Sequence, residues 1–169
     1  MNSSITPENI LRIALIVIAF IGTAVFWEVV AWWMHKYVMH GIGWFLHEDH
    51  HKTSGRRLQR NDAYAVFFAL CSFLLIYNGL KRGWAPMAAS GFGVALYGLG
   101  YVAFHDIMFH RRIRWLRYKP KSGYMKRIID HHRIHHGTAT KEGAVNFSFL
   151  WAPRPKAPPT GEIPDELRH

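Results

Sequence analysis

Ten of the twelve histidines in this 169-residue sequence fall into a repeated spacing. His35 and His40 form H-x-x-x-x-H, and His47, His50 and His51 form H-x-x-H-H. The same order then recurs, with His105 and His110 as the second H-x-x-x-x-H and His132, His135 and His136 as the second H-x-x-H-H. Imidazole is the commonest protein ligand for middle and late first-row metals. Ten imidazoles exceed what one ion can hold, so the pattern points to two metals. On an α-helix, positions i, i+3 and i+4 stand on one face, so each H-x-x-H-H presents three imidazoles together. The i, i+5 pair is less regular, spanning about 140° on an ideal helix. It needs a local bulge or unwinding to serve one metal, or else it reaches two. With Cys71 as the one cysteine, iron–sulfur ligation, Cys-type structural zinc and an intrachain disulfide framework are all excluded. His131 and His169 stand outside the pattern: His131 as a neighbour of the ligands or an exposed helix residue, His169 as the terminal residue.

Something must hold these clusters together, and the apolar runs between them supply it. One runs from Ile13 to Met34, broken only by Glu28; a second from Ala63 to Leu80; a third, rich in Gly and Ala, from Trp84 to Phe104. Each approaches the ~20 residues that a membrane-spanning helix needs. The first is not expected to be a signal peptide, because Glu8 and a single Arg12 precede it and no small-x-small cleavage site follows. Within the third, Gly91 and Gly98 share one helix face and Gly93 and Gly100 another, as close helix approach in a membrane requires. A soluble bundle is disfavoured, since no amphipathic partner helices remain to cover such runs. The expected fold is therefore all-α: a polytopic membrane protein with three transmembrane helices, or four if the third run splits or 147–151 is re-entrant, and a histidine-rich helical cap. Residues 1–152 would form this domain and 153–169 a Pro-rich, disordered tail.

The net charge is +10, from 21 Lys and Arg against 11 Asp and Glu. Segment 36–62 carries Lys36, Lys52, Arg56, Arg57 and Arg60, and segment 111–127 carries eight more basic residues. The opposite side would keep only Arg12, Lys81 and Arg82. By the positive-inside bias, the 36–62 loop, the histidine clusters and the C-terminus face the cytoplasm and the N-terminus faces out. That accounts for the charge without a nucleic-acid partner. A transporter would place polar ligands at mid-membrane; here they lie past the span ends, which favours an enzyme acting on something held in the bilayer.

The cluster order, with the stretches E-V-V-A-W-W-M-H-K-Y-V-M-H-G (Glu28–Gly41), N-D-A-Y-A-V (Asn61–Val66), F-H-D-I-M-F-H-R-R (Phe104–Arg112), G-Y-M-K-R (Gly123–Arg127) and H-R-I-H-H…K-E-G-A-V-N-F-S-F-L-W-A-P (His132–Pro153), resembles the membrane fatty acid hydroxylase/sterol desaturase superfamily. Within it the sequence resembles the bacterial-type β-carotene 3-hydroxylases more closely still. The resemblance implies that the ten pattern histidines bind two non-haem iron ions, with O₂ as co-substrate and an external electron donor such as reduced ferredoxin. It implies hydroxylation of β-carotene at C3 and C3′, through β-cryptoxanthin to zeaxanthin. An unactivated C–H bond demands a redox-active metal, which zinc is not. The substrate would lie between the spans with one ring at the metals. The basic 111–127 segment would face either an acidic ferredoxin or anionic lipid headgroups. A ketolase, desaturase or fatty-acyl hydroxylase using the same metals is the sibling reading, and a non-enzymatic metal carrier is the reading from a different class.

Glu28 lies seven residues before His35 on the same helix face. As a carboxylate in a span it needs a partner, either a ligand histidine that it orients or another helix. Asp62 and Asp106 are candidates for the same supporting role. Trp27, Trp32, Trp33 and Trp44 are read as interface and packing residues.

Overall fold

The computed structural model describes residues 6–52, 58–113, 115–116 and 119–153, and among these the regular structure is entirely helical. Helix α1 covers Pro7–Trp33 and continues as a π-helical segment over Met34–Ile42. Helix α2 is Trp44–His51, α3 is Asp62–Lys81, and α4 is Ala85–Tyr101 with a second π-helical continuation over Val102–Phe109. Helix α5, Gly123–His136, starts on a Ser122 cap whose hydroxyl accepts from the Met125 amide at 3.2 Å. Three helices, Pro7–Ile42, Asp62–Lys81 and Ala85–Phe109, are long and apolar enough to cross a membrane. No fourth span occurs among the described residues; 147–151 is irregular chain. The Pro-rich tail, beyond Pro153, lies outside the described residues.

The chain forms two compact units, Met1–Trp27 with Val66–Gly98, and Glu28–Ala65 with Leu99–His169. In the first, glycines set how closely the helices approach. A Cβ at Gly91 would stand 2.6 Å from the Ile76 side chain and 2.7 Å from its backbone nitrogen, and one at Gly93 would strike the Phe20 carbonyl. The expected second member of the first pair differs: a Cβ at Gly98 would meet nothing within 4 Å. The Ser72 hydroxyl donates to the Gly91 carbonyl at 2.8 Å, and Trp27 packs edge-on against Phe68 at 5.9 Å. Ile10, Ile18, Val25, Phe73 and Leu96 point outward. Apolar side chains turned outward suit a lipid environment, where helices satisfy their own backbone polar groups.

The second unit carries all ten pattern histidines. Its Gly41 adopts φ −115°, ψ −122°, which ends the first π-helical segment and turns the chain into α2. The Tyr64 hydroxyl donates to the Gly43 carbonyl at 2.9 Å and fixes that turn.

Candidate metal centre

The two π-helical segments give the irregular i, i+5 pairs a common direction. In a π-helix the backbone bonds from i to i+5, as the His110 amide does to the His105 carbonyl at 2.9 Å. His35 and His40 thereby converge, and so do His105 and His110. Of the two alternatives, a local bulge or a reach to two metals, the bulge is the one present, and each pair stays within one group.

The H-x-x-H-H triplets behave differently. Two five-histidine groups form, His35, His40, His47, His51 and His135 in one, and His50, His105, His110, His132 and His136 in the other; within each, one nitrogen per ring lies within 4.8 Å of the rest. Each triplet keeps its i, i+4 pair in one group and sends its middle histidine to the other. Helix geometry explains the division, because the i+3 position stands about 100° from i+4 while i and i+4 are only about 40° apart. His51 and His136, one from each group, stack with ring centroids 4.5 Å apart.

In the first group every Nδ1 faces an oxygen acceptor. His35 donates to the Phe147 carbonyl at 2.7 Å, His40 to Lys141 at 3.2 Å, His51 to Thr138 at 2.8 Å and His135 to Val145 at 2.8 Å, while His47 donates to Asn61 Oδ1 at 2.6 Å. The proton is therefore on Nδ1 and the lone pair on Nε2. Those lone pairs meet one another: His40 Nε2 lies 3.1 Å from His51 Nε2 and 3.2 Å from His135 Nε2, with His47 and His51 at 3.2 Å. The His35 Nε2 is buried without a hydrogen-bond partner. Converging lone pairs repel unless a cation sits among them. Nitrogens about 2.1 Å from a first-row ion are separated by about 3.0 Å at right angles and about 3.4 Å at tetrahedral ones. The observed spacings fall in that interval, so the residues fit a metal.

The second group shows the same spacing, His50–His105 at 3.0 Å, His110–His132 at 3.3 Å and His132–His136 at 3.0 Å between Nε2 atoms. Its supports are side chains: His50 Nδ1 donates to Gln59 Oε1 at 3.0 Å, and His105 Nδ1 to Asp106 Oδ1 at 2.8 Å. Burial first, and neighbouring imidazoles second, hold His47, His50, His110, His132, His135 and His136 well below the usual histidine pKa. Burial and then His40 lower His51 to about 3. Neutral imidazoles at physiological pH are what metal ligation requires.

Of the other residues singled out in the sequence, Asp106 supports His105, and Asp62 accepts from Arg112 at 2.6 Å and from the Gln59 amide at 3.0 Å. Glu28 accepts from the backbone amides of Phe149, Leu150 and Trp151 at 2.8–3.1 Å. It thus anchors the irregular segment whose carbonyls orient the first group. His131 belongs to neither group and is buried, which removes the exposed-residue reading. Trp44 packs against His40, His47 and His51. His169 lies outside the described residues. Sequence reasoning missed Gln59, Asn61, Arg112 and the carbonyls of 138–147. The one signal for them is the pair of polar amides, Gln59 and Asn61, just before α3.

Fold and site together define a helical membrane protein with two histidine-only groups that could each hold a metal ion. The fatty acid hydroxylase family matches residues 20–152, and the chain belongs to it. It is 46% identical to the β-carotene hydroxylase of Pantoea ananas, over 78% of this chain and 74% of that one. It is 39% identical to the β-carotene hydroxylase of Pseudescherichia vulneris, over 87% of this chain and 78% of that one. No solved structure matches it significantly.

Proposed function

We propose that this protein is a carotenoid 3-hydroxylase that inserts oxygen at C3 and C3′ of β-carotene, giving β-cryptoxanthin and then zeaxanthin. The observation that carries the reading is the pair of five-nitrogen groups, taken with the likeness to the β-carotene hydroxylases. His35, His40, His47, His51 and His135 would hold one iron, and His50, His105, His110, His132 and His136 the other. Bound there, iron supplies the O₂-dependent redox chemistry that an unactivated C–H bond requires.

The chain's own groups would do the rest. The carbonyls of Thr138, Lys141, Val145 and Phe147 hold four imidazoles in one tautomer. Tyr101, Phe109, Ile128, Ile129 and Phe149 line a small apolar pocket that His105 and His132 also reach. That apolar lining would keep water from the bound ions. The Tyr101 hydroxyl lies 3.3 Å from His105 Nε2 and could hold a proton at this pocket. The histidine groups and the C-terminus would face the cytoplasm, where a reduced ferredoxin supplies electrons.

Reconstitution decides between metals. Zinc and copper stand above ferrous iron in the usual affinity series, so zinc found in the purified protein would be a stand-in. Ferrous iron, O₂ and a reductant should convert β-carotene to zeaxanthin with ¹⁸O from ¹⁸O₂ in the hydroxyls, and zinc-loaded protein should not. Label from water, or full activity with zinc, would refute an iron oxygenase. Canthaxanthin in place of zeaxanthin would make it a ketolase.

A further inference from the structure

The two groups are supported by different chemistry. Neutral oxygens serve all five Nδ1 atoms of the first group, whereas in the second the acceptors of His50 and His105 both neighbour one cation, Arg112. Its guanidinium donates to Gln59 Oε1 at 2.6 Å and to Asp62 Oδ1 at 2.6 Å, and lies 3.8 Å from Asp106 Oδ1. Gln59 Oε1 is the atom that accepts from His50, and Asp106 Oδ1 the atom that accepts from His105. The ligands His50 and His105 come from α2 and from the second π-helical segment, 55 positions apart. A single guanidinium thus holds one of these acceptors by a hydrogen bond and lies within ion-pair range of the other.

Local backbone places Arg112 for this role. Arg111 has φ 50°, a left-handed conformation that non-glycine residues seldom adopt. The turn brings the Arg112 amide onto the Asp106 carbonyl at 2.9 Å. With Arg112 donating to Oε1, the Gln59 amide cannot flip its nitrogen toward His50. Beside Asp106, the cation draws charge from the carboxylate that would otherwise make the His105 ring more basic.

We propose that Arg112 is a positioning residue specific to the second metal group: it locks Gln59 as acceptor for His50 and tempers Asp106 on His105, and so sets that group's affinity for its ion. This rests on the reading of the groups as metal sites. A lysine would keep the charge and lose the fork.

The test is Co²⁺ binding to the full-length protein in detergent, read by metal count and visible absorption. Wild type should take two ions. Arg112→Ala should keep one at wild-type affinity and weaken the other about 10–100-fold. Gln59→Leu should weaken the same ion, and the double variant should lose less than the two effects combined. In a His50→Ala background, which lacks a donor of the second group, replacing Arg112 should leave the remaining tight ion unchanged. If Arg112→Ala does not fold, Arg112→Lys decides, with the same single ion weakened. Unchanged affinities, or both ions weakened alike, overturn the proposal while wild type still binds two. A wild type that binds no Co²⁺ overturns the metal reading itself.

Discussion

Leu150 donates its backbone amide to both carboxylate oxygens of Glu28, at 3.1 and 3.0 Å, across 122 positions of sequence. The Phe149 and Trp151 amides join the same carboxylate. One acidic residue therefore pins the segment that carries the Val145 and Phe147 carbonyls, the acceptors for His135 and His35. Bonds to an ionised acceptor are roughly twice as strong as neutral ones. Glu28→Ala should lower the melting temperature by several degrees and release metal from the first group before the second. Glu28→Gln, which keeps one carbonyl acceptor, should fall between. Thermal melts and metal counts on the two variants check this, and a Glu28→Ala protein with both ions held normally would contradict it.

The division of each triplet makes a prediction that adjacency in sequence would not. His50→Ala should lose the same ion as His136→Ala, while His47→Ala and His135→Ala should lose the other. All ten single replacements should abolish hydroxylation or nearly so, because each opens a coordination position. His131→Ala and His169→Ala should retain clear activity. Pigment analysis in cells making β-carotene, with metal counts on purified protein, separates these outcomes. Loss of one shared ion from His47→Ala and His50→Ala would refute the division.

Much of the fold was legible because span length and outward apolar surface are written directly in composition. The three runs became the three long helices, and the irregular i, i+5 spacing had left a local bulge or two separate metals open, between which the π-helical turns decide. The partition of the triplets was not legible. A shared helix face looks like a shared ligand set until a second helix arrives from the other side, and the difference between i+3 and i+4 then decides. Thr138, Lys141, Val145 and Phe147 act through backbone carbonyls, which every residue owns, so no side-chain pattern could reveal them. Arg112 looked like one more charge in a basic segment.

Orientation is tested by single cysteines placed in 41–62 and after His110. Membrane-impermeant reagent applied from the periplasmic side should label neither region, given the Lys and Arg asymmetry. Labelling of either from outside would reverse the topology.

Gly91 and Gly98 share a helix face yet should respond differently to alanine. At Gly91 the new Cβ would meet Ile76 at 2.6 Å and the Ser72 carbonyl at 2.9 Å, a backbone contact that cannot move aside cheaply. Overpacking of this kind costs about 1–3 kcal/mol. Gly98→Ala enters open space and gains helix propensity, so its stability should be unchanged or slightly higher. Melting temperatures of the two variants in one detergent compare them; equal losses would show that Gly98 is also a close-approach position.

Acid should destabilise the metal-free protein through its buried histidines. His51 is held neutral down to about 3, first by burial and then by His40, whereas an unfolded histidine takes its proton near 6.5. Between those values the unfolded chain binds more protons than the folded one, so stability falls as pH falls. The contribution is complete above about pH 6.5 and is lost progressively toward pH 3. His47, His50, His132, His135 and His136 shift in the same direction, so their losses accumulate over that window. Bound metal occupies the lone pairs and competes with the protons, so loaded protein should resist acid further than stripped protein. Melting curves of chelated and metal-loaded protein between pH 7.5 and 4.5 measure both effects. His51→Gln should flatten the pH dependence of the stripped protein, and a melting temperature that stays constant across that range would show that these imidazoles are not buried neutral.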